Sequence, residues 1–367
     1  MGADFSEANP APDQHDNQHD WASRHEVARR LAGLCRGVSC QEHDRITCFD
    51  GEGQPRPYFI PSDTLLTTQA GELGIACEGD LYGGVVPFRF IATKAVGHPL
   101  VRGARAVPEG WNEGLGKALG ETVLPGFSTF DLADALAAGT ALLESGPVRI
   151  KPVEATAGRG QVVVRSPDEL EAALSRLNPG QVRREGLVLE QNLVDVKTFS
   201  IGSSKIFDRS IAYWGTQAIT VDRRGQTVYG GTRLHAVRGG LAELAARDFS
   251  HELAEAIEKA RHYDRTIFEG FSGMFASRRN YDVASGRDHL GRSRIGVLEQ
   301  SWRVGGATPA EITAFERFAA DPQCDDVICA TVEVHGDCDA APPGAIVYYA
   351  GVDPVAGPMT KYVMVIE

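Results

Sequence analysis

The stretch that most limits what this 367-residue chain can become runs from 148 to 191. Val148–Lys151 (VRIK) has the β-branched content of a strand, and Pro152–Gln161 (PVEATAGRGQ) is a glycine-containing loop. Val162–Arg165 (VVVR) then reads as a returning strand. Ser166-Pro167-Asp168-Glu169 forms a capping box with proline at the first helical position. Leu170, Ala173, Leu174 and Leu177 follow at helical spacing, and Asn178-Pro179-Gly180 ends the helix. Gly186–Gln191 (GLVLEQ) is a further strand. The order is strand, glycine loop, strand, helix, strand.

Around this segment the patterns are more ordinary. Residues 1–20 are polar and acidic, with neither the basic start nor the apolar run of a secretory signal, and predict a disordered tail. Residues 21–115 mix helix (SRHEVARRLAGLC, Thr64–Leu73) with short strand-like runs (ITCFD, PYFIP, GVVPFRFIATK) and suggest a small α/β domain. Asp131 opens the helix DLADALAAGTALLES, where an acid suits the helix dipole. Residues 198–233 read as a strand meander, Leu241–His262 as a helix, and PAEITAFERFAA beyond Thr308 as another. The expected division is a tail at 1–20, an N-terminal α/β domain at 21–115, a small lobe at 116–197 and a large lobe at 198–324. Strands at 325–367 are expected to extend the large lobe.

Composition narrows the function. Lys plus Arg total 37 against 49 Asp plus Glu, a formal net charge of -12, which argues against non-specific nucleic-acid binding. No apolar run reaches the 18 or so residues needed to span a bilayer, so no membrane partner is expected and the chain reads as cytoplasmic. The seven cysteines include no C-x-x-C pair and read as reduced thiols rather than a disulfide frame or zinc site. Only seven of the 37 basic residues are lysines, which gives weight to a lysine in a chemically suggestive place.

Two constellations carry chemistry. The first is Lys151 with the loop after it. Gly114-Leu115-Gly116-Lys117-Ala118 fails as a Walker loop because Ala118 stands where the magnesium-binding hydroxyl belongs. No G-x-G-x-x-G lies between a strand and a helix either. A glycine loop on a hairpin can instead fold over a triphosphate with its backbone N–H groups, Gly158 and Gly160 permitting close approach. Lys151 would meet the phosphates as a point charge. The same pattern also fits an ordinary hairpin with a mobile tip. The second constellation is Asp282 and Glu299, on strand-like runs that bracket the turn-rich GRDHLGRS. Two carboxylates on adjacent antiparallel strands can share one magnesium ion. Arg303, beside Gly305-Gly306, could stabilise a transferred phosphate or an oxyanion. Surface salt bridges would give the same residue types.

Taken in order, these parts resemble the ATP-grasp superfamily, from about Lys117 to Gly306. That family has a strand ending in Lys-Pro before a glycine loop, matched by Val148–Pro152 and Ala157-Gly158-Arg159-Gly160. Its next strand ends in an acidic hinge that contacts adenine, matched by Glu190-Gln191. Its late motif Glu-x-Asn-x-Arg, with an upstream acid, is matched by Glu299-Gln300-Ser301-Trp302-Arg303 and Asp282. More narrowly, the chain looks like a bacterial family of uncharacterised ATP-grasp proteins. Ser301 departs from the family by replacing the asparagine ligand, and Lys197 stands where a ribose-binding Glu is common, leaving Asp195 as its substitute. Lys117 is favoured over Lys94 as the earlier phosphate contact.

The resemblance implies an ATP-grasp α+β fold in which two lobes clamp the nucleotide. It implies ATP with Mg2+ or Mn2+, the metal held by Asp282, Glu299 and Ser301. It also implies a ligase that activates a small-molecule carboxylate as an acyl-phosphate for attack by an amine or thiol, and a homodimer as a common assembly. Lys151 and Arg303 would be catalytic cations; Arg233, in the polar segment Tyr229–His235, could join them at the γ-phosphate or a substrate carboxylate, or equally be a surface residue at a strand end. A small-molecule kinase and a non-catalytic ATP-binding regulator are the alternatives.

Overall fold

A computed structural model describes residues 18–35, 40–42, 45–49, 54–154, 160–221, 225, 227–336, 341–354 and 356–366. The first element among the described residues is helix α1 (Gln18–Leu34), which begins inside the stretch expected to lack structure; the rest of that stretch lies outside the described residues. A three-stranded antiparallel sheet follows: β1 (Cys40–Glu42), β2 (Arg45–Phe49) and β3 (Pro55–Phe59). Next come β4 (Leu65–Leu66), α2 (Thr67–Glu72) and β5 (Gly84–Val86). Residues 89–92 and 94–97, expected to continue a strand, instead form two short 3-10 turns.

The small lobe begins after α3 (Leu115–Leu119). It consists of β6 (Gly126–Thr129), α4 (Leu132–Leu143), β7 (Val148–Pro152), β8 (Val162–Val164), α5 (Pro167–Leu174), α6 (Pro179–Glu185) and β9 (Leu187–Gln191). Its strands pair antiparallel in the order β6-β9-β7-β8. The caps read from the sequence are in place. Asp131 accepts hydrogen bonds from the backbone N–H groups of Ala133 and Asp134, and Ser166 accepts one from Glu169. Apolar residues of α4 and α5 pack on Leu187 and Leu189 from the outer face of the sheet.

The large lobe is a long meander: β10 (Val194–Ile206), β11 (Arg209–Val221) and β12 (Thr227–Arg238). The single helix expected over 241–262 is two, α7 (Leu241–Ala245) and α8 (His251–Gly270), the second capped by Ser250. After β13 (Phe275–Ala276), which pairs with β5, come β14 (Arg278–Arg287), β15 (Ser293–Ser301), α9 (Thr308–Ala320), β16 (Asp326–His335), β17 (Ile346–Asp353) and β18 (Gly357–Val365). The main sheet has the order β15-β14-β10-β11-β12-β16-β18-β17, so β15 is one edge. The α+β class expected for this chain is the fold found.

Strand alternation sorts the large sheet into two faces. Phe199, Ile201, Tyr281, Val283 and Val297 bury against α8. On the other face Ile211, Tyr213 and Leu234 bury against α9, and α1 packs outside it. The helices cover only one end of this second face. The other end carries a polar stripe and forms the floor of a cleft.

Candidate functional site

The floor is built by register. Asp282 lies directly opposite Glu299 on β15 and opposite Ser200 on β10, and Thr232 on β12 lies opposite Thr331 on β16. Next to Asp282 the pairing slips from Glu299 to Val297, leaving Leu298 as a bulge that re-aims the end of β15. Ser200 Oγ donates to Asp282 Oδ1 at 3.1 Å, and Gln217 Nε2 is 3.4 Å from both carboxylate oxygens. Burial, and then the facing charge of Glu299, push the Asp282 carboxyl up to about 6. Two acids placed directly opposite one another on a sheet repel, so the arrangement favours a cation between them. The donors are carboxylate oxygens with a hydroxyl beside them, without thiolate or imidazole. That set suits a hard divalent cation such as Mg2+. Among the described residues no group of three His, Cys, Asp or Glu side chains gathers around a common point.

The cleft above this floor has a volume of about 1100 Å3. Besides Asp282, Glu299 and Ser301, its lining includes Lys94, Glu154 and Arg303. Lys94 is 6% exposed, and its Nζ lies 2.9 Å from Glu299 Oε2. Arg303 reaches Asp63 at 3.9 Å and donates to the Val304 carbonyl at 3.1 Å. Arg89 and Glu154 pair at 3.1 Å, joining the N-terminal segment to the small-lobe loop.

Lys151 and Glu190 form an ion pair on the inner face of the small lobe, both nearly fully buried. They come together because β7 and β9 are neighbours, with Lys151 opposite Val188 and Arg149 opposite Glu190. His98 Nε2 lies 3.4 Å from the second Glu190 oxygen. Burial alone would raise the Glu190 carboxyl, but Lys151 and then His98 outweigh it and carry it down to about 2. The pair does not line the 1100 Å3 cleft. Gln191, the last residue of β9, is buried with its Oε1 lacking a hydrogen-bond partner, while its N–H donates to the Pro125 carbonyl at 2.8 Å.

Several expected site residues lie elsewhere. Lys117 is exposed on α3 and does not line the cleft, whereas Lys94 does. Arg233 is exposed and falls on the opposite face of β12 from Thr232, beside His235, which stacks on Trp214 with ring centroids 4.1 Å apart. Strand alternation takes Arg233 away from the site. Asp195 is exposed in an irregular stretch of β10 at φ 52, outside the cleft lining. Ala157, Gly158 and Arg159 lie outside the described residues, and Gly160 adopts φ +67, a left-handed conformation suited to glycine.

Sequence reasoning missed a buried network beneath the cleft. Arg278 and Glu311, at 2% and 0% exposure, pair at 2.7 Å. Tyr82 and Tyr213 donate to Glu311 at 2.6 and 2.7 Å. Arg278 Nη1 donates to the carbonyls of Ser301 and Arg303, fixing the turn that carries both side chains. An Arg and a Glu 33 residues apart, one on a strand and one in the first turn of a helix, give no local signal of such a partnership.

A family model described as "Protein of unknown function (DUF3182)" matches residues 9–363. No curated protein matches the chain. Among solved structures, the chain is similar to carboxyaminoimidazole ribonucleotide synthase from Aspergillus clavatus in complex with ATP. That match has 15% identity and TM-score 0.38, and covers 68% of this chain and 65% of that one. It is also similar to the biotin carboxylase domain of the Hydrogenobacter thermophilus 2-oxoglutarate carboxylase, in complex with MgADP, ADP and bicarbonate. There the identity is 15% and the TM-score 0.46, over 81% of this chain and 66% of that one. A third likeness is to phosphoribosylamine–glycine ligase from Thermotoga maritima, at 14% identity and TM-score 0.46 over 93% and 89% of the two chains. The chain thus spans just under two thirds of the length of the first two of these structures.

Proposed function

The chain belongs to the family described as DUF3182, a membership that assigns no chemistry, and from its cleft we propose that it is an ATP- and magnesium-dependent ligase of the ATP-grasp kind. The observation that carries this reading is the facing pair Asp282 and Glu299 on the cleft floor, with the Lys94 ammonium 2.9 Å from Glu299. Asp282 and Glu299 would hold Mg2+, with Ser301 beside them, and the ion would neutralise phosphate charge. Lys94 supplies a second positive charge on a nearly buried stem. On this reading Lys151 would meet phosphate and Glu190-Gln191 adenine on the small-lobe side of the nucleotide site, although the Lys151–Glu190 pair lies outside the lining of the cleft.

In the reaction a substrate carboxylate oxygen attacks the γ-phosphorus and the bond from that phosphorus to the ADP oxygen breaks. The products are an acyl-phosphate and ADP. An amine nitrogen then attacks the acyl carbon, phosphate leaves with the bonding electron pair, and the amine proton passes to phosphate or solvent. Arg303, in the cleft beside Gly305-Gly306, would stabilise charge on the transferred group. Positioning and fixed charge supply most of the catalysis in phosphoryl transfer.

Thermal unfolding with and without Mg-ATP tests the nucleotide reading. A ligand at 100 times its dissociation constant stabilises by about 2.7 kcal/mol. For a chain of this size that is a shift of at least about 2 °C. Wild type should shift, and Asp282→Asn should shift much less. Absence of a shift in well-folded wild type at millimolar Mg-ATP would sink the proposal, as would an equal shift in Asp282→Asn. Release of ADP only when a carboxylate and an amine are both supplied separates the ligase from a kinase or a regulator.

A further inference from the structure

We propose that Gln300, held by Tyr263, is the positioning residue for Lys94; the inference rests on reading the cleft as a Mg-ATP site. Gln300 sits between Glu299 and Ser301 on edge strand β15; alternation turns its side chain toward Tyr263 of α8, while the residue still borders the cleft. Its strand partner there is Tyr281, a fully buried residue of the core against α8, where an apolar side chain would be expected. Gln300 is 6% exposed, and a buried amide is costly unless its hydrogen bonds are made. They are made, and both donors go to one short segment. Nε2 donates to the carbonyls of Ile91 and Thr93, each at 2.7 Å, and Oε1 accepts from Tyr263 OH at 2.8 Å.

That segment is the pair of 3-10 turns carrying Lys94, and it passes the edge of the sheet at β15. The peptide group joining Thr93 to Lys94 is planar, so fixing the Thr93 carbonyl fixes the direction in which the Lys94 Cα leaves it. Thr93 adds a local restraint by donating to the Phe90 carbonyl at 2.8 Å and accepting from Ala95 N at 3.3 Å. A lysine has a flexible four-carbon stem, so its charge is located only if its root is held. Gln300 holds that root from one face of β15, while the Lys94 ammonium meets Glu299 on the other face. The two neighbours in sequence, Glu299 and Gln300, thus grip one lysine at its two ends.

The experiment is calorimetric titration with Mg-AMPPNP of wild type, Lys94→Ala, Gln300→Met, Tyr263→Phe, and Lys94→Ala combined with each of the last two. Lys94→Ala should weaken binding at least tenfold. Gln300→Met should weaken it at least fivefold with Lys94 present, and less than twofold once Lys94 is gone. Tyr263→Phe keeps both donated bonds and should weaken binding by a smaller factor, again only with Lys94 present. Equal losses in the two backgrounds would mean a merely structural role and would overturn the inference, as would unchanged affinity in Gln300→Met. If Gln300→Met does not fold, Tyr263→Phe decides by the same comparison. A wild type that does not bind, or a Lys94→Ala variant that binds like wild type, overturns the reading of the cleft itself and the inference with it.

Discussion

Glu190 is a carboxylate taken out of water and kept charged. Burial penalises the ionised form, yet Lys151 and His98 hold its carboxyl at about 2. The depressed value fixes the sign of the pH dependence. The pair's contribution is fully present above the ordinary carboxyl range and is lost as pH falls through that range toward 2. Between pH 5 and pH 3 wild type should therefore lose about 2 kcal/mol on this account alone. Urea unfolding of wild type and Glu190→Gln at both pH values checks it, and the variant should have a flatter pH profile. The variant should also be about 3–5 kcal/mol less stable at pH 7, because Lys151 is left buried without its counter-charge. A variant as pH-sensitive as wild type would mean that other carboxylates govern acid stability.

Elements decide which residues meet, and here close backbone contact matters as much as side-chain chemistry. Gly202 in the middle of β10 has Tyr213 and Asn280 as its strand partners. A Cβ at this position would sit 2.4 Å from the Tyr213 ring and 2.5 Å from the Arg279 carbonyl oxygen, and the latter is backbone in a neighbouring strand. Gly202→Ala should therefore destabilise by about 1–3 kcal/mol through overpacking, read as a lower denaturation midpoint with an unchanged slope. The described part of the small lobe was largely legible in the sequence, since its caps and the strands β7, β8 and β9 follow local rules. Asp282 and Glu299 were legible for a similar reason, because antiparallel neighbours joined by a short turn-rich excursion are bound to face one another. Lys94 was legible only as the alternative to Lys117, because its segment forms 3-10 turns without periodicity and reaches the cleft only by passing β15. Arg233 was misplaced because a one-residue change in strand phase reverses the face, and the pairing of β11 with β12 contains an irregularity between Ala218 and Ile219.

At the scale of the whole molecule, the Glu311 carboxylate gathers partners from across the chain. Tyr82 comes from the N-terminal region, Ser204 and Tyr213 from the meander, and Arg278 from the strand that carries Asp282. Tyr82, Tyr213, Arg278 and Glu311 are all almost fully buried. A buried ion pair adds little over a well-packed apolar pair, but losing one member leaves an uncompensated charge in a low-dielectric interior. The single substitutions Arg278→Met and Glu311→Leu should each destabilise by about 3–5 kcal/mol, whereas the double variant should recover much of that loss. Urea midpoints for the four proteins give the coupling directly. Additive losses would show that the pair is not the energetic link between α9 and the cleft floor. Arg278 Nη1 also holds the carbonyls of Ser301 and Arg303, so the double variant separates two roles. If stability returns while the Mg-ATP thermal shift does not, the network's remaining contribution is to the geometry of the site: a folded large lobe is then insufficient, and the turn after β15 must be held from below for Ser301 and Arg303 to face the cleft.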